Sequence, residues 1–366
     1  MEKLKIIISG GGTGGHIFPA IAVAKAIEER VEGVEFLFVG ANDRMEMQKV
    51  PEAGYKIIGL PIIGLQRSLD IRNLLFPFKL ISSLFKAARI IKSFNPDLAI
   101  GTGGYASGPV LFLAARKGIP SIIQEQNSYP GITNKILSKY VKKTCVAYDN
   151  MERFFGNEKL IFTGNPIRGD ILMLENKKDL ACKLFSIDPK KTTVLVVGGS
   201  LGARTINHAI SDNIDVFKEV GINLIWQTGI SFQNQSKEII AKINTIGIQA
   251  HTFIKEIDLA YAVADIIISR AGAIAISELS CVGKPVILVP SPNVSENHQY
   301  KNAQSLVNKK AALLVKDEDA SRKLVEVLME LVKNKKLQSV LSKNMKKMAV
   351  IDAADNIAEI ALALRK

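Results

Sequence analysis

The sequence predicts an α/β protein made of two Rossmann-like domains facing across a cleft. Three features point there. Short apolar runs alternate with helical patterns along the chain, the pattern restarts near residue 193, and four small-residue turns each follow an apolar run. At 366 residues, the chain is too long for one ordinary core and suits two domains.

The strand-like runs are 4–9, 35–39, 97–100, 121–123, 144–147 and 160–162, then 193–197, 222–226, 248–251, 266–268 and 285–289. They are short, β-branched and nearly continuously apolar, which suits parallel strands buried on both faces. Their alternation with helices implies right-handed βαβ units. Between the two series lies Gly164-Asn165-Pro166-Ile167-Arg168-Gly169-Asp170, flanked by glycine and proline, which reads as a linker. The first domain is therefore expected over 1–164 and the second over 165–349. The tail, about 350–366, carries an alanine-rich helix near Asp355 to Leu364 that is apolar on more than one side. It is expected to pack back on the first domain. Parallel sheets bind ligands beyond their strand carboxyl ends, so the active site is expected in the cleft.

The first turn is Gly10-Gly11-Gly12-Thr13-Gly14-Gly15-His16, after a strand and before a helix. Backbone N–H groups point outward at such a joint, and the helix dipole favours negative charge there. Gly10, Gly12 and Gly15 match the dinucleotide pattern G-x-G-x-x-G. A nicotinamide site also needs an acid at the end of the second strand. Here Phe38-Val39 runs into Gly40-Ala41-Asn42, and Asp43 is a poor substitute. The other turns are Gly101-Thr102-Gly103-Gly104-Tyr105-Ala106-Ser107, Gly198-Gly199-Ser200-Leu201-Gly202 and Ser269-Arg270-Ala271-Gly272-Ala273. Any one alone reads equally as a tight turn. Together they point to several phosphates, or a pyrophosphate on each side of the cleft. No Gly-Lys-Ser/Thr follows any of them, which argues against a P-loop.

Asp317-Glu318-Asp319 is a literal D-x-D ahead of a helical run starting near Ala320. Acids at a helix start are ordinary capping, so no metal is expected. His16 sits at a helix N-terminus, where a neutral imidazole can take a proton or bind substrate; the alternative is a residue that caps its turn. His208 and His251 read as structural, and His298 follows a strand end where a ligand would lie.

The formal charge of +13 attracts anions or serves solubility. Part of it lies in residues 65–92, which hold Arg67, Arg72, Lys79, Lys86, Arg89 and Lys92 against one acid, Asp70. Leu75, Phe76, Phe78, Ile81 and Phe85 are interleaved with them. Basic residues beside Phe and Leu suit a helix in an anionic membrane interface, and equally a core helix with a solvated basic face. No nucleic-acid motif is present, so nucleic acid is not an expected partner. Cys145, Cys182 and Cys281 are odd in number and far apart, which suits a reducing cytoplasm. No signal peptide is evident, and no uncharged apolar stretch reaches the ~18 residues of a spanning helix.

Six motifs occur in a fixed order: Gly-Gly-Thr-Gly-Gly-His-Ile-Phe-Pro (11–19), Gly-Thr-Gly-Gly-Tyr-Ala-Ser-Gly-Pro (101–109), Glu-Gln-Asn (125–127), Gly-Asn-Pro-Ile-Arg (164–168), Gly-Gly-Ser-Leu-Gly-Ala-Arg (198–204) and Ser-Arg-Ala-Gly-Ala (269–273). Together they resemble the MurG family of bacterial N-acetylglucosaminyltransferases, glycosyltransferase family 28, over nearly the whole chain. The resemblance implies a GT-B fold, UDP-N-acetylglucosamine as donor and lipid I (undecaprenyl-pyrophosphoryl-N-acetylmuramyl-pentapeptide) as acceptor. It implies inverting, metal-independent transfer to the muramyl 4-hydroxyl, without a cofactor, giving lipid II. The expected location is peripheral, on the cytoplasmic face of the inner membrane, alongside other cell-wall synthesis proteins.

Carried over by motif, the donor would meet Thr13, Gly14, Gly15, Asn127, Arg168 and Ser200. The backbone of Ile254 would read the uracil, Ala273 and its neighbours would hold the diphosphate, Glu278 the ribose and Gln299 the sugar. Gly103, Gly104, Tyr105 and Ser107 would face the acceptor pyrophosphate. His16 and Glu125 are the catalytic candidates. The chain departs from the family pattern at His298, where Gln is common, at Ala275, where Thr is common, and at Leu201, where Gln is common. Two other classes fit parts of the sequence: a UDP-N-acetylglucosamine 2-epimerase, and a non-catalytic membrane-associated nucleotide-sugar-binding protein.

Overall fold

The computed structural model describes residues 3–64, 76–199 and 201–365. The chain divides into two units, residues 1–167 with 351–366, and residues 168–350. Each is a parallel sheet covered by helices on both faces.

The sheet of the first unit contains β1 (Lys5–Gly10), β2 (Glu35–Ala41), β3 (Lys56–Leu60), β4 (Leu98–Gly103), β5 (Ser121–Glu125), β6 (Lys143–Val146) and β7 (Leu160–Phe162). Its order is β3-β2-β1-β4-β5-β6-β7, and every pair is parallel. Strand residues alternate between two cores. Ile6, Ile8, Phe36, Phe38, Leu98 and Ile100 join the helix Gly14–Glu28. Ile7, Leu37, Val39 and Ala99 join the helices Phe76–Phe94 and Ser107–Arg116. Both faces are dry, which is why the runs are continuously apolar rather than alternating.

The second unit contains β8 (Thr193–Val197), β9 (Asn223–Gln227), β10 (Ile248–His251), β11 (Ile266–Ser269), β12 (Val286–Leu288) and β13 (Leu313–Leu314), in the order β10-β9-β8-β11-β12-β13. Val194, Val196, Trp226 and Ile268 face one core, and Leu195, Ile225 and Ile267 the other.

The strand order pairs the four small-residue turns, a relation the linear sequence does not display. The chain runs outward from β1 through β2 and β3, then returns to place β4 on the other side of β1. The turns after β1 and β4 therefore end side by side, Gly10 opposite Gly103. In the second unit β8 and β11 are neighbours in the same way, with Val197 opposite Ser269. Both junctions are topological switch points, where parallel sheets open a crevice for ligands.

Strands β3 and β13 were not among the apolar runs. The first begins at exposed Lys56 and is split by Gly59, and the second is two residues long. The last helix, Ala353–Leu362, buries Ile357, Ala358 and Ala361 in the same cluster as Val23, Ala24 and Ile27 of the first helix. Arg30 and Asp355 pair at 2.7 Å beside that contact. Ile357 is fully buried, so Ile357→Ala is expected to destabilise the first unit by about 2–5 kcal/mol. Urea unfolding with a tryptophan-independent probe such as far-UV circular dichroism measures this.

Candidate active site

In the first unit, the turns after β1 and β4 touch backbone to backbone. A Cβ on Gly104 would lie 2.2 Å from the Gly11 carbonyl oxygen, and Gly104 has a φ of +83°. Only glycine satisfies both conditions. Gly11 donates its N–H to the Gly103 carbonyl at 3.3 Å, locking the turns together. Ser107 is buried and spends its hydroxyl on the Gly104 carbonyl at 2.9 Å. Tyr105 is exposed, its ring against Gly64.

His16 stands at the junction of these turns, in the first turn of the helix Gly14–Glu28 that Thr13 precedes. Gly14 and Gly15 open that helix. The His16 Nδ1 lies 3.0 Å from the Gly11 carbonyl oxygen and 3.3 Å from the Thr13 hydroxyl. A carbonyl can only accept, so Nδ1 carries the hydrogen and Nε2 is the basic nitrogen of the neutral ring. Thr102 ties in the same residue by donating its hydroxyl to the His16 carbonyl at 2.8 Å.

Glu125 ends β5 in a different role from His16. Its carboxylate is buried and accepts four hydrogen bonds, from the backbone and side chain of Asn127 (3.0 and 3.2 Å), from Gly131 N–H (3.1 Å) and from Asn134 (2.9 Å). Burial raises its pKa, and those same donors oppose the rise. Such a group shapes the loop that carries Asn127. Beneath it, Gln124, Gln126 and Asn165 form a buried network, with Gln124 donating to Asn165 at 2.8 Å and Gln126 to the Thr102 carbonyl at 2.7 Å.

In the second unit, the glycine turn after β8 lines a cavity of about 460 Å³ with Arg204, Arg270 and Gln299. Ser200 lies outside the described residues. Gln299 spends its amide oxygen on Ala271 N–H (3.2 Å) and Ser291 N–H (2.8 Å), which leaves its amide nitrogen as the donor end. Ala273 opens the helix Ala273–Val282, whose N-cap, Gly272, supplies no side-chain cap to its first N–H groups. Ile254 N–H donates to Gln227 at 3.0 Å. Arg168 Nε lies 3.7 Å from Glu278 and 3.8 Å from Asp170. Burial pushes Glu278 up to about 7, against the pull of Arg168.

The acids at 317–319 stand at a helix start as expected, Asp319 being the N-cap of the helix Ala320–Lys333, but Asp319 makes no side-chain cap hydrogen bond. Asp317 accepts from the Thr205 hydroxyl at 2.6 Å and pairs with Arg270, while Asp319 pairs with Arg322 and Lys323 one turn on. A short 3₁₀ turn, Asp317–Asp319, precedes the helix Ala320–Lys333 and turns Asp317 towards the cavity instead of the helix end. Among the described residues, no three His, Cys, Asp or Glu side chains gather as a metal site would require. Sequence reasoning missed Glu46, which accepts from Gly12 across the sheet, and Tyr261, which hydrogen-bonds Glu278, and it read Asp317 only as part of a capping run. No local motif marks Glu46 or Tyr261.

Two parallel α/β units with glycine-lined switch points define a GT-B glycosyltransferase fold. A model of the glycosyltransferase family 28 N-terminal domain matches residues 6–146, and one of the C-terminal domain matches residues 193–357. A protein from Flavobacterium psychrophilum named UDP-N-acetylglucosamine–N-acetylmuramyl-(pentapeptide) pyrophosphoryl-undecaprenol N-acetylglucosamine transferase is 50% identical over 100% of this chain and 98% of its own. A protein of the same name from Cytophaga hutchinsonii is 53% identical over 97% of this chain and 95% of its own. The crystal structure of Acinetobacter baumannii MurG aligns with a TM-score of 0.79 at 28% identity, covering 98% of this chain and 99% of that one. A UDP-GlcNAc 2-epimerase from Neisseria meningitidis shares the fold at TM-score 0.68 and 15% identity, over 99% of this chain and all of its own. The chain belongs to glycosyltransferase family 28, and within it to the MurG relatives.

The raised pKa of Glu278 has a consequence for stability. Between the ordinary carboxylate value and about 7 the folded state holds a proton that the unfolded chain has lost, so this group's contribution falls as pH rises through that window. Glu278→Gln is expected to raise Tm at about pH 8 and to change it little below about pH 4.5. A Tm series across that range tests it.

Proposed function

We infer that this chain transfers N-acetylglucosamine from UDP-N-acetylglucosamine to lipid I, giving lipid II for peptidoglycan synthesis. The observation that carries this reading is near-50% identity over the full length to enzymes named for that transfer. The 2-epimerase reading keeps only a shared fold.

His16 is the general base for the acceptor 4-hydroxyl. Its support is the tautomer: Nδ1–H is committed to the Gly11 carbonyl, and Nε2 is the nitrogen that accepts. Glu125 positions Asn127 rather than moving a proton. The turns holding Gly103, Gly104, Tyr105 and Ser107 receive the acceptor pyrophosphate. On the second unit, UDP leaves with growing negative charge. The helix start at Ala273, the turn at Ser200 and Arg168 answer that charge electrostatically. The carbonyl of Ile254, whose N–H is taken by Gln227, meets the uracil, Glu278 accepts from the ribose, and Gln299 offers its amide nitrogen to the sugar. Transfer proceeds without a metal ion. In support, Asp317 is already engaged by Arg270 and Thr205.

His16→Ala is expected to lower kcat by about 10²–10⁴-fold with little change in KM for UDP-N-acetylglucosamine. Label transfer to a lipid I analogue measures this, and EDTA is expected to leave the wild-type rate unaltered. An unchanged rate in the variant at saturating substrates would remove His16 as the base.

The enzyme works at an anionic membrane surface, on its cytoplasmic side, alongside wall-building partners. The support is the helix Phe76–Phe94, which exposes Phe78, Ile81 and Phe85 along one stripe beside exposed Lys86, Arg89 and Lys92. The remainder of the segment, residues 65–75, lies outside the described residues. Among those that are described, no helix is long and apolar enough to cross a membrane. Phe78→Ser with Phe85→Ser is expected to weaken sedimentation with anionic vesicles while sparing transfer to a water-soluble acceptor analogue.

A further inference from the structure

Glu46 is a fully buried carboxylate that neither the motifs nor the mechanism above accounts for. It opens the helix Glu46–Glu52 after β2, and it is held by backbone N–H groups. Oε1 accepts from Ala41 N–H and Oε2 from Gly12 N–H, each at 2.9 Å. The side chain fills space that two glycines leave open. A Cβ on Gly11 would lie 2.0 Å from Oε1, and a Cβ on Gly40 would lie 2.4 Å from Cγ.

The Gly12 N–H and the Gly11 carbonyl belong to the same peptide unit. In a trans peptide these two groups point in opposite directions. One end of this peptide meets Glu46, and the other accepts Nδ1–H of His16. We propose that Glu46 is a positioning residue that acts through the Gly11–Gly12 peptide to hold His16 in the tautomer needed for catalysis. A peptide between two glycines turns over more readily than others, because neither residue has a Cβ to resist it. Were it to turn, an N–H would face Nδ1, the hydrogen would move to Nε2, and the ring could no longer accept the acceptor's proton there. An anionic acceptor on the N–H side prevents that turn and polarises the peptide, strengthening its carbonyl as an acceptor.

This inference rests on the reading of His16 as base, and the test separates the two. Glutamine at position 46 has one acceptor atom for two N–H groups, so one of them would face an NH₂. Glu46→Gln is expected to lower kcat roughly 10–100-fold and to change KM for UDP-N-acetylglucosamine much less, because Arg168, Glu278 and Gln299 on the donor side lie in the second unit. Ring ¹⁵N shifts of histidine-labelled protein, assigned with His16→Ala, should show the Nδ1–H form in the wild type and a mixture in Glu46→Gln. Gly40→Ala, which displaces Glu46 from behind, should reproduce both effects, and it should add nothing once Glu46→Ala has vacated the space. Wild-type kcat and an unmixed Nδ1–H signal in folded Glu46→Gln or Gly40→Ala would overturn the proposal. If His16→Ala keeps full turnover, the base assignment fails, while the ¹⁵N measurement still decides whether Glu46 sets the tautomer.

Discussion

The first unit depends on one close approach. The turn after β4 lies so near the turn after β1 that a methyl group on Gly104 would overlap the Gly11 oxygen. That contact requires β1 and β4 to be neighbours, which the crossover supplies, and it requires a backbone without side chains. That approach brings the Gly11 carbonyl to the ring of His16, and the Glu46 carboxylate meets the N–H at the other end of the same peptide. The glycines of the opening turn thus serve packing between turns as much as the approach of a ligand. Gly11 and Gly12 direct their N–H groups inward, to Gly103 and Glu46. They are therefore not the outward-facing donors that a phosphate loop would offer.

Buried carboxylates show how the charge is handled. Glu46 and Glu125 each sit where N–H donors converge, so burial does not leave them as isolated charges. Glu278 differs. Its facing groups are Arg168, Asp170 and Tyr261, and burial raises its pKa to about 7. Unlike the other two, it meets one cation and one hydroxyl rather than converging backbone N–H groups.

Much of this was legible in the sequence because it is local. Continuous apolar runs gave away the parallel strands, and each of the four turns stood out by its small residues. The resemblance carried by six ordered motifs agrees with the family to which the full-length relatives belong. What could not be read is non-local. Nothing in the order of residues places Gly103 opposite Gly10, and nothing near Asp317 announces Arg270. The first acid after β2 is Asp43. The acid that matters, Glu46, lies a few residues later and reaches back to main-chain groups rather than out to a ribose. β3 escaped notice for a simpler reason: a lysine and a glycine broke its apolar run.

The two units use the same junction for opposite electrostatic ends. In the first, the turn's inward N–H groups are taken by protein acceptors, and its carbonyl meets Nδ1 of the His16 ring. In the second, Gly272 leaves the helix start at Ala273 without a side-chain cap, and Arg204 lines the cavity while Arg270 is balanced by Asp317, so what emerges is a weakly positive end. A displacement that removes a proton from the acceptor and expels an anion from the donor needs one of each. Duplicating a single strand–turn–helix plan supplies both, because whether the turn's N–H groups are buried by a carboxylate or left at the surface decides the sign of the site. In the first unit Glu46 takes one of those N–H groups, although it lies outside every ligand-facing motif.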